Sequence, residues 1–197
     1  YLVASEAQNI KPVLILNKVD MLENNTFPEI NKLVKDYQFI GYDVLQVSAT
    51  TGEGIAELQD YLTGKTAIFV GQSGVGKSSL INHIQPDANM SVGELSIGKE
   101  KGTHTTTVSR LFHLSGGGVL IDSPGIREFA LTHLSQEQVI NGFIDFRPYL
   151  GHCKFRDCSH NKDLGCSLLA AVADKKVLPT RLHNYRQILL SQESDRS

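Results

Sequence analysis

Gly71-Gln72-Ser73-Gly74-Val75-Gly76-Lys77-Ser78 is the stretch that decides the fold, because it satisfies G-x-x-x-x-G-K-[ST] in full. Its context agrees. The apolar run Ala67-Ile68-Phe69-Val70 before it reads as a buried strand, and Ser78 to Ile84 behind it reads as a helix. Strand, glycine loop and helix in that order make a phosphate cradle. Glycines let the backbone wrap closely round phosphate oxygens with its N–H groups turned inward, and the helix adds the positive end of its dipole. Gly71, Ser73, Gly74, Val75, Gly76, Lys77, Ser78 and Ser79 are therefore the expected phosphate contacts. Lys77 would neutralise the outer phosphates and take part in catalysis, and the Ser78 hydroxyl would ligate Mg²⁺. The competing reading is an ordinary Gly/Ser turn, which a complete motif with both flanking elements disfavours.

Downstream, Val119-Leu120-Ile121-Asp122-Ser123-Pro124-Gly125 is an apolar strand ending in D-x-x-G. Asp122 would hold Mg²⁺ through water, and Gly125, lacking a side chain, can bring its N–H to the γ-phosphate. Alone this pattern is a common turn; after a strand, beside a phosphate loop, it reads as the metal aspartate. Between the two lies Asp87 to Thr107, with Gly93, Gly98 and Gly102, charges and few sustained apolar runs. In a compact domain so long an irregular stretch is usually functional or mobile. It is expected to be a switch ordered by ligand and metal.

Upstream, Asn17-Lys18-Val19-Asp20 follows the apolar run Val13 to Leu16. Guanine carries an N1–H and a 2-amino group that adenine lacks, and the Asp20 carboxylate can accept both. Asn17 can donate toward the base or brace the phosphate loop, and the Lys18 stem can lie against the purine face. Ser48-Ala49-Thr50 follows the next strand, Val44 to Val47, where the Ala49 N–H can reach guanine O6. A strand with a polar helix cap would explain N-K-x-D alone. The two elements together favour GTP over ATP.

These pieces stand in an unusual order: in ordinary Ras-like GTPases the phosphate loop comes first and N-K-x-D late. The site needs them in space, not in sequence, and termini of compact domains often lie close together, so a circular permutation can preserve it. The alternation of strands and helices through the first two thirds predicts an α/β domain with a largely parallel sheet. Val13 to Leu16 is expected to be buried on both faces. A helix over Phe27 to Tyr37 should carry Ile30, Leu33, Val34 and Tyr37 on one side, and another runs from Ile55 to Leu62. Val108 to Leu114 and Val119 to Asp122 form a hairpin about Gly116-Gly117-Gly118. From about Ser135 the pattern turns helical, with later helices near Ser167 to Ala173 and Thr180 to Leu190.

The 197 residues suffice for one domain and a small appendage, and 41% apolar content is that of a globular core. A net charge of -2 gives no global sign of nucleic-acid binding. No apolar run approaches the ~20 residues of a membrane span, and no signal peptide opens the chain. The chain starts without Met in what reads as a helix already under way, the pattern of a fragment whose N-terminal part is missing.

All three cysteines fall in Cys153-x₄-Cys158-x-His160-x₅-Cys166. An odd set this tightly spaced is unlike a secreted disulfide framework and suits a closed tetrahedral structural Zn²⁺ site in a reducing, cytoplasmic setting. Buried free cysteines beside an exposed histidine is the alternative, and His152 is a rival ligand. From Arg147 to Arg186 there are eight Lys/Arg (Arg147, Lys154, Arg156, Lys162, Lys175, Lys176, Arg181, Arg186) against Asp157, Asp163 and Asp174. That excess fits an RNA-facing surface or an ordinary solvated basic face equally well.

The permuted order, Gly102-Thr103-His104-Thr105-Thr106-Thr107, Asp122-Ser123-Pro124-Gly125 and the Cys/His cluster together resemble the ribosome small-subunit-dependent GTPases (RsgA, also called YjeQ) over essentially the whole chain. The resemblance implies a circularly permuted P-loop GTPase domain, a Ras-like sheet flanked by helices, at 1–134. A small, mainly helical zinc-binding domain follows at 135–197. It implies binding of GTP or GDP with Mg²⁺, subunit-stimulated hydrolysis in late maturation of the small ribosomal subunit, contact with that subunit and its rRNA, and an N-terminal OB-fold not visible in this sequence. A cytoplasmic monomer is expected. Ras-like enzymes place a water-orienting glutamine after D-x-x-G; here that position is Ile126, which cannot orient water. Slow intrinsic turnover is therefore expected, with His104 the internal candidate to orient or deprotonate the water. A structural switch residue or an rRNA contact is the other reading of His104. Thr105 or Thr106 would give Mg²⁺ its hydroxyl and the γ-phosphate its N–H, with Thr106 preferred.

Overall fold

Strands β3 (Thr66–Phe69) and β5 (Val119–Asp122) pair in parallel, in a register that sets Phe69 beside Asp122. The connection between them holds the phosphate loop. Strand β4 (Arg110–His113) pairs antiparallel on the other side of β5, with Arg110 opposite Asp122, giving a three-stranded sheet of order β3-β5-β4. Strands β1 (Val13–Asn17) and β2 (Asp43–Val47) pair in a second, two-stranded sheet. The protein is thus mixed α/β in this computed structural model, which describes residues 1–22, 27–88, 109–123, 131 and 133–194.

The helices are α1 (Leu2–Ala7), α2 (Pro28–Ile40), α3 (Ile55–Leu62), α4 (Lys77–Ile84), α5 (Gln136–Asn141), α6 (Ser167–Ala173) and α7 (Pro179–Ser194). Their starts are legible chemically. Pro28 opens α2 where its missing N–H costs nothing. Ser135 and Gln138 form a reciprocal capping box at α5: the Gln138 N–H donates to Ser135 Oγ (3.2 Å) and the Ser135 N–H to Gln138 Oε1 (2.8 Å).

Contacts group the chain into two compact units, each drawn from separated stretches. One comprises Tyr1–Val13, Glu29–Asp43 and Phe129–Ser197; the other comprises Leu14–Pro28 and Val44–Glu128. The first is built on Phe143 and Phe146, stacked with ring centroids 4.7 Å apart and met edge-on by Tyr185. Leu168, Val139 and Leu134 close round them. Buried Gln192 on α7 donates to the Leu131 (2.5 Å) and Leu134 (3.0 Å) carbonyls. Asp145 and Arg181 form a buried bidentate pair (Nη2 to Oδ1 2.9 Å, Nε to Oδ2 3.3 Å), with the guanidinium 4.5 Å from the Phe143 ring. The second unit buries Val47, Leu58, Ile81 and Leu120 almost completely.

The expected burial pattern needs correction in three elements. All five residues of β1 are half-buried rather than enclosed on both faces. In β3, Thr66 and Ile68 are exposed and only Phe69 is buried, as suits an edge strand of the described sheet. Helix α2 forms, but none of its residues is fully buried, and Leu33 on the expected apolar side is 53% exposed. Periodicity reports which residues share a face, not how completely that face is covered.

Candidate functional site

The phosphate loop leaves β3 at its carboxyl end, beside the carboxyl end of β5, where parallel sheets place their ligands. Gly76 caps α4 in the left-handed region, φ 93°. A Cβ there would lie 2.2 Å from Asn17 Nδ2, so glycine is required for conformation and for space. Lys77 and Ser78 are half-buried in the first turn of α4, while Ser73, Gly74 and Val75 are exposed and Ser79 is half-buried. The Lys77 ammonium donates to the Gly71 (2.6 Å) and Gln72 (2.9 Å) carbonyls.

Asp122 is buried at the end of β5. Burial raises its carboxyl above the ordinary carboxylate range, against the opposing pull of Lys77 and Arg110. Burial likewise lowers the Lys77 ammonium, and Asp122 draws it back. Each charge thus sits where partial desolvation makes it sensitive to its partner. The Ser78 hydroxyl and the Asp122 carboxylate are hard oxygen donors of the kind Mg²⁺ takes.

The N-K-x-D segment is wired into the phosphate loop. Asn17 Nδ2 donates to the Val75 carbonyl (2.9 Å), and Asn17 Oδ1 accepts from the N–H groups of Lys18 (2.8 Å) and Ala49 (3.2 Å). Lys18, itself left-handed at φ 67°, stretches its ammonium to the Gly74 carbonyl (2.9 Å). A non-glycine residue in that region is strained and marks a site held by its surroundings. Asp20 Oδ1 accepts from the Ser48 hydroxyl at 2.5 Å. Ser48 is fully buried, and its oxygen also accepts from the N–H groups of Thr50 and Thr51. One buried serine therefore orients the Asp20 carboxylate and folds the Ser48-Ala49-Thr50 loop. His104, Thr105, Thr106, Gly125 and Ile126 lie outside the described residues.

Cys153, Cys158, His160 and Cys166 converge with their ligand atoms within 4.8 Å of one another. His160 Nδ1 is 3.6, 3.7 and 3.4 Å from the sulfurs of Cys153, Cys158 and Cys166, and the Cys153 and Cys166 sulfurs are 4.0 Å apart. A tetrahedral zinc with Zn–S of about 2.3 Å and Zn–N of about 2.0 Å spaces its ligands about 3.5–3.8 Å apart. The four side chains fit that ion. Burial holds the His160 imidazole below its usual range, although Asp163 pulls the other way, which leaves a ring lone pair free for a metal. His152 is exposed.

Three contributors were not legible as such in the sequence. Arg186 donates to the His160 (3.1 Å) and Asn161 (2.5 Å) carbonyls, so α7 braces the ligand loop. Ser167 Oγ lies 3.2 Å from Cys153 Sγ and donates to the Tyr149 carbonyl. His83 Nδ1 lies 3.3 Å from the Ala49 carbonyl. Of the eight basic residues between Arg147 and Arg186, Arg181 is not surface charge but is buried against Asp145, and Arg186 is spent on the ligand loop. Partners so far apart in sequence leave no local signal.

A sequence model of the RsgA GTPase family matches residues 1–132. The small ribosomal subunit biogenesis GTPase RsgA of Pseudomonas aeruginosa (strain PAO1) is 51% identical over 191 residues, 97% of this chain and 56% of that protein. Its counterpart in Pseudomonas putida (strain KT2440) is 49% identical over 195 residues, 99% of this chain and 57% of that protein. The chain thus spans a little over half the length of these curated relatives. Among solved structures, YjeQ from Thermotoga maritima superposes with a TM-score of 0.79 at 30% identity, over 97% of this chain and 63% of that one. YloQ, described as a circularly permuted GTPase, gives 0.77 at 32% identity, over 100% and 61%. With N-K-x-D placed before the phosphate loop yet bonded to it, and with these relatives at this identity, the chain belongs to the RsgA GTPase family.

Proposed function

We propose that this chain is the catalytic and zinc-binding part of a ribosome-stimulated GTPase that hydrolyses GTP to GDP and phosphate during late maturation of the small ribosomal subunit. The observation that carries this is the bonding of Asn17 to Val75 and of Lys18 to Gly74, which joins a guanine-reading segment to a phosphate-binding one. Residues 1–134 act as the GTPase domain and 135–197 as the zinc-binding module; the span of the family match and the position of the cysteine cluster support that division. Asp20 reads the guanine N1–H and 2-amino group, and the loop from Gly71 to Ser79 holds the phosphates. Ser78 and Asp122, with Thr106 or Thr105, would hold Mg²⁺. That ion supplies charge neutralisation between the outer phosphates. Lys77 adds a second positive charge there, and His104 orients the attacking water. The small subunit and its rRNA are the partners, met by a cytoplasmic monomer. No described helix is long and apolar enough to cross a membrane.

GTP turnover measured with and without purified small subunits, for this chain and for a longer parent, tests the reading. Strong stimulation of the parent is expected. Absence of stimulation with intact GTP binding would instead favour an RNA-binding scaffold whose affinity GTP sets, a reading that Ile126 in the glutamine position supports.

A further inference from the structure

The Ser48-Ala49-Thr50 loop is held from three directions. Buried Ser48 anchors its start and accepts from Thr50 and Thr51. Asn17 Oδ1 accepts from the Ala49 N–H. The third contact comes from outside every motif: His83, on the exposed side of α4, points Nδ1 at the Ala49 carbonyl from 3.3 Å. A carbonyl can only accept, so this contact is a hydrogen bond in the tautomer that has its proton on Nδ1. The ring also covers the next turn of the loop. A Cβ on Gly52 would sit 3.6 Å from His83 Cε1 and Nε2, and Gly52 is left-handed at φ 83°.

The two polar groups of Ala49 lie in successive peptide planes and are held separately, the N–H by Asn17 and the C=O by His83. Its N–H is turned toward Asn17, on the side of the base-reading segment, and its C=O is turned away, toward α4. This matters at position 6 of a purine. Guanine presents an oxygen there, which needs a donor; adenine presents an amino group, which needs an acceptor. A loop that turned the Ala49 carbonyl inward would present the wrong polarity for guanine and the right one for adenine. Lys77, in the first turn of α4, and His83 are separated by about 9 Å along the helix axis. The helix that carries Lys77 in its first turn therefore also carries the contact to the Ala49 carbonyl.

We propose that His83 is a positioning residue for purine selectivity, holding the Ala49 carbonyl outward so that no acceptor faces position 6, where guanine presents an oxygen. The inference rests on the guanine-nucleotide reading, and the test separates the two. GDP, IDP and ADP are competed against a fluorescent GDP analogue on the wild-type chain and on His83→Ala and His83→Gln. IDP and ADP differ in the donor and acceptor pattern at N1 and position 6, while GDP and IDP differ only in the 2-amino group that Asp20 would read. His83→Ala is expected to lower the IDP-to-ADP affinity ratio about two- to tenfold, the worth of one hydrogen bond, and to leave the GDP-to-IDP ratio unchanged. Gln, which keeps an N–H donor, is expected to restore part of the loss. An unchanged IDP-to-ADP ratio in His83→Ala, including an equal weakening of all three ligands, overturns the inference and leaves a brace without selectivity. A wild-type chain that binds GDP, IDP and ADP equally overturns the guanine reading itself.

Discussion

Replacing Gly76 by alanine tests whether the Asn17–Asp20 segment and the Gly71–Ser78 loop are one mechanical unit. Gly76 sits at φ 93°, and a left-handed backbone costs a residue with a Cβ about 1–2 kcal/mol. The new Cβ would also lie 2.2 Å from Asn17 Nδ2, so the Asn17 amide must move and lose its bond to the Val75 carbonyl. That adds about 1 kcal/mol. The total of roughly 2–3 kcal/mol corresponds to a fall in Tm of about 4–12 °C for a chain of this size. Urea denaturation of the ligand-free protein measures it, with Gly76→Ala, Asn17→Ala and the double variant forming a cycle. Once Asn17 is truncated the obstruction is gone, and Gly76→Ala should then cost only its backbone part. A coupling of about 1 kcal/mol is expected. Additive effects, with no coupling beyond about 0.3 kcal/mol, would refute the claim that Asn17 and Gly76 compete for the same space.

Asp122→Asn separates stability from function. Burial raises the Asp122 carboxyl, so the fold disfavours its charged form. Stability from this group is greatest below the ordinary carboxylate range and falls as pH rises through the raised folded value. At pH 7 the ligand-free Asn variant should be at least as stable as wild type, with that advantage fading below pH about 4, while Mg²⁺-dependent nucleotide binding drops; a less stable variant at pH 7 counts against the argument. Asp145→Ala strands the buried Arg181 guanidinium and should cost about 3–5 kcal/mol, whereas Asp145→Leu with Arg181→Met should fall much closer to wild type. Equal losses in urea titrations would show that the charges are not what the pair contributes. Purified protein should carry one zinc ion by atomic emission, and Cys166→Ser or a strong chelator should remove it and lower the Tm. A metal-free protein with an unchanged Tm would make the cluster an ordinary set of buried thiols.

Local chemistry written into the chain was legible without a structure. The glycine loop, D-x-x-G, N-K-x-D and the Cys/His spacing each need particular residue types a few positions apart, and helices such as Ile55–Leu62 and Ser167–Ala173 announce themselves by period and flanking residues. The hairpin between β4 and β5 followed from its glycine turn for the same reason. The permuted order could also be read directly, since it is a property of sequence.

What tertiary structure decided is which groups meet across long separations. Asn17 reaches Val75, His83 reaches Ala49, Arg186 reaches His160, and Arg181 turns from apparent surface charge into half of a buried pair with Asp145. It also decided how deeply each face is covered, leaving Leu33 exposed and β1 half-buried. Periodicity and spacing encode interactions within a few residues, where chain geometry fixes the distance. Contacts between distant segments depend on how whole elements pack, and that is a collective outcome of the core carried by no single stretch of sequence.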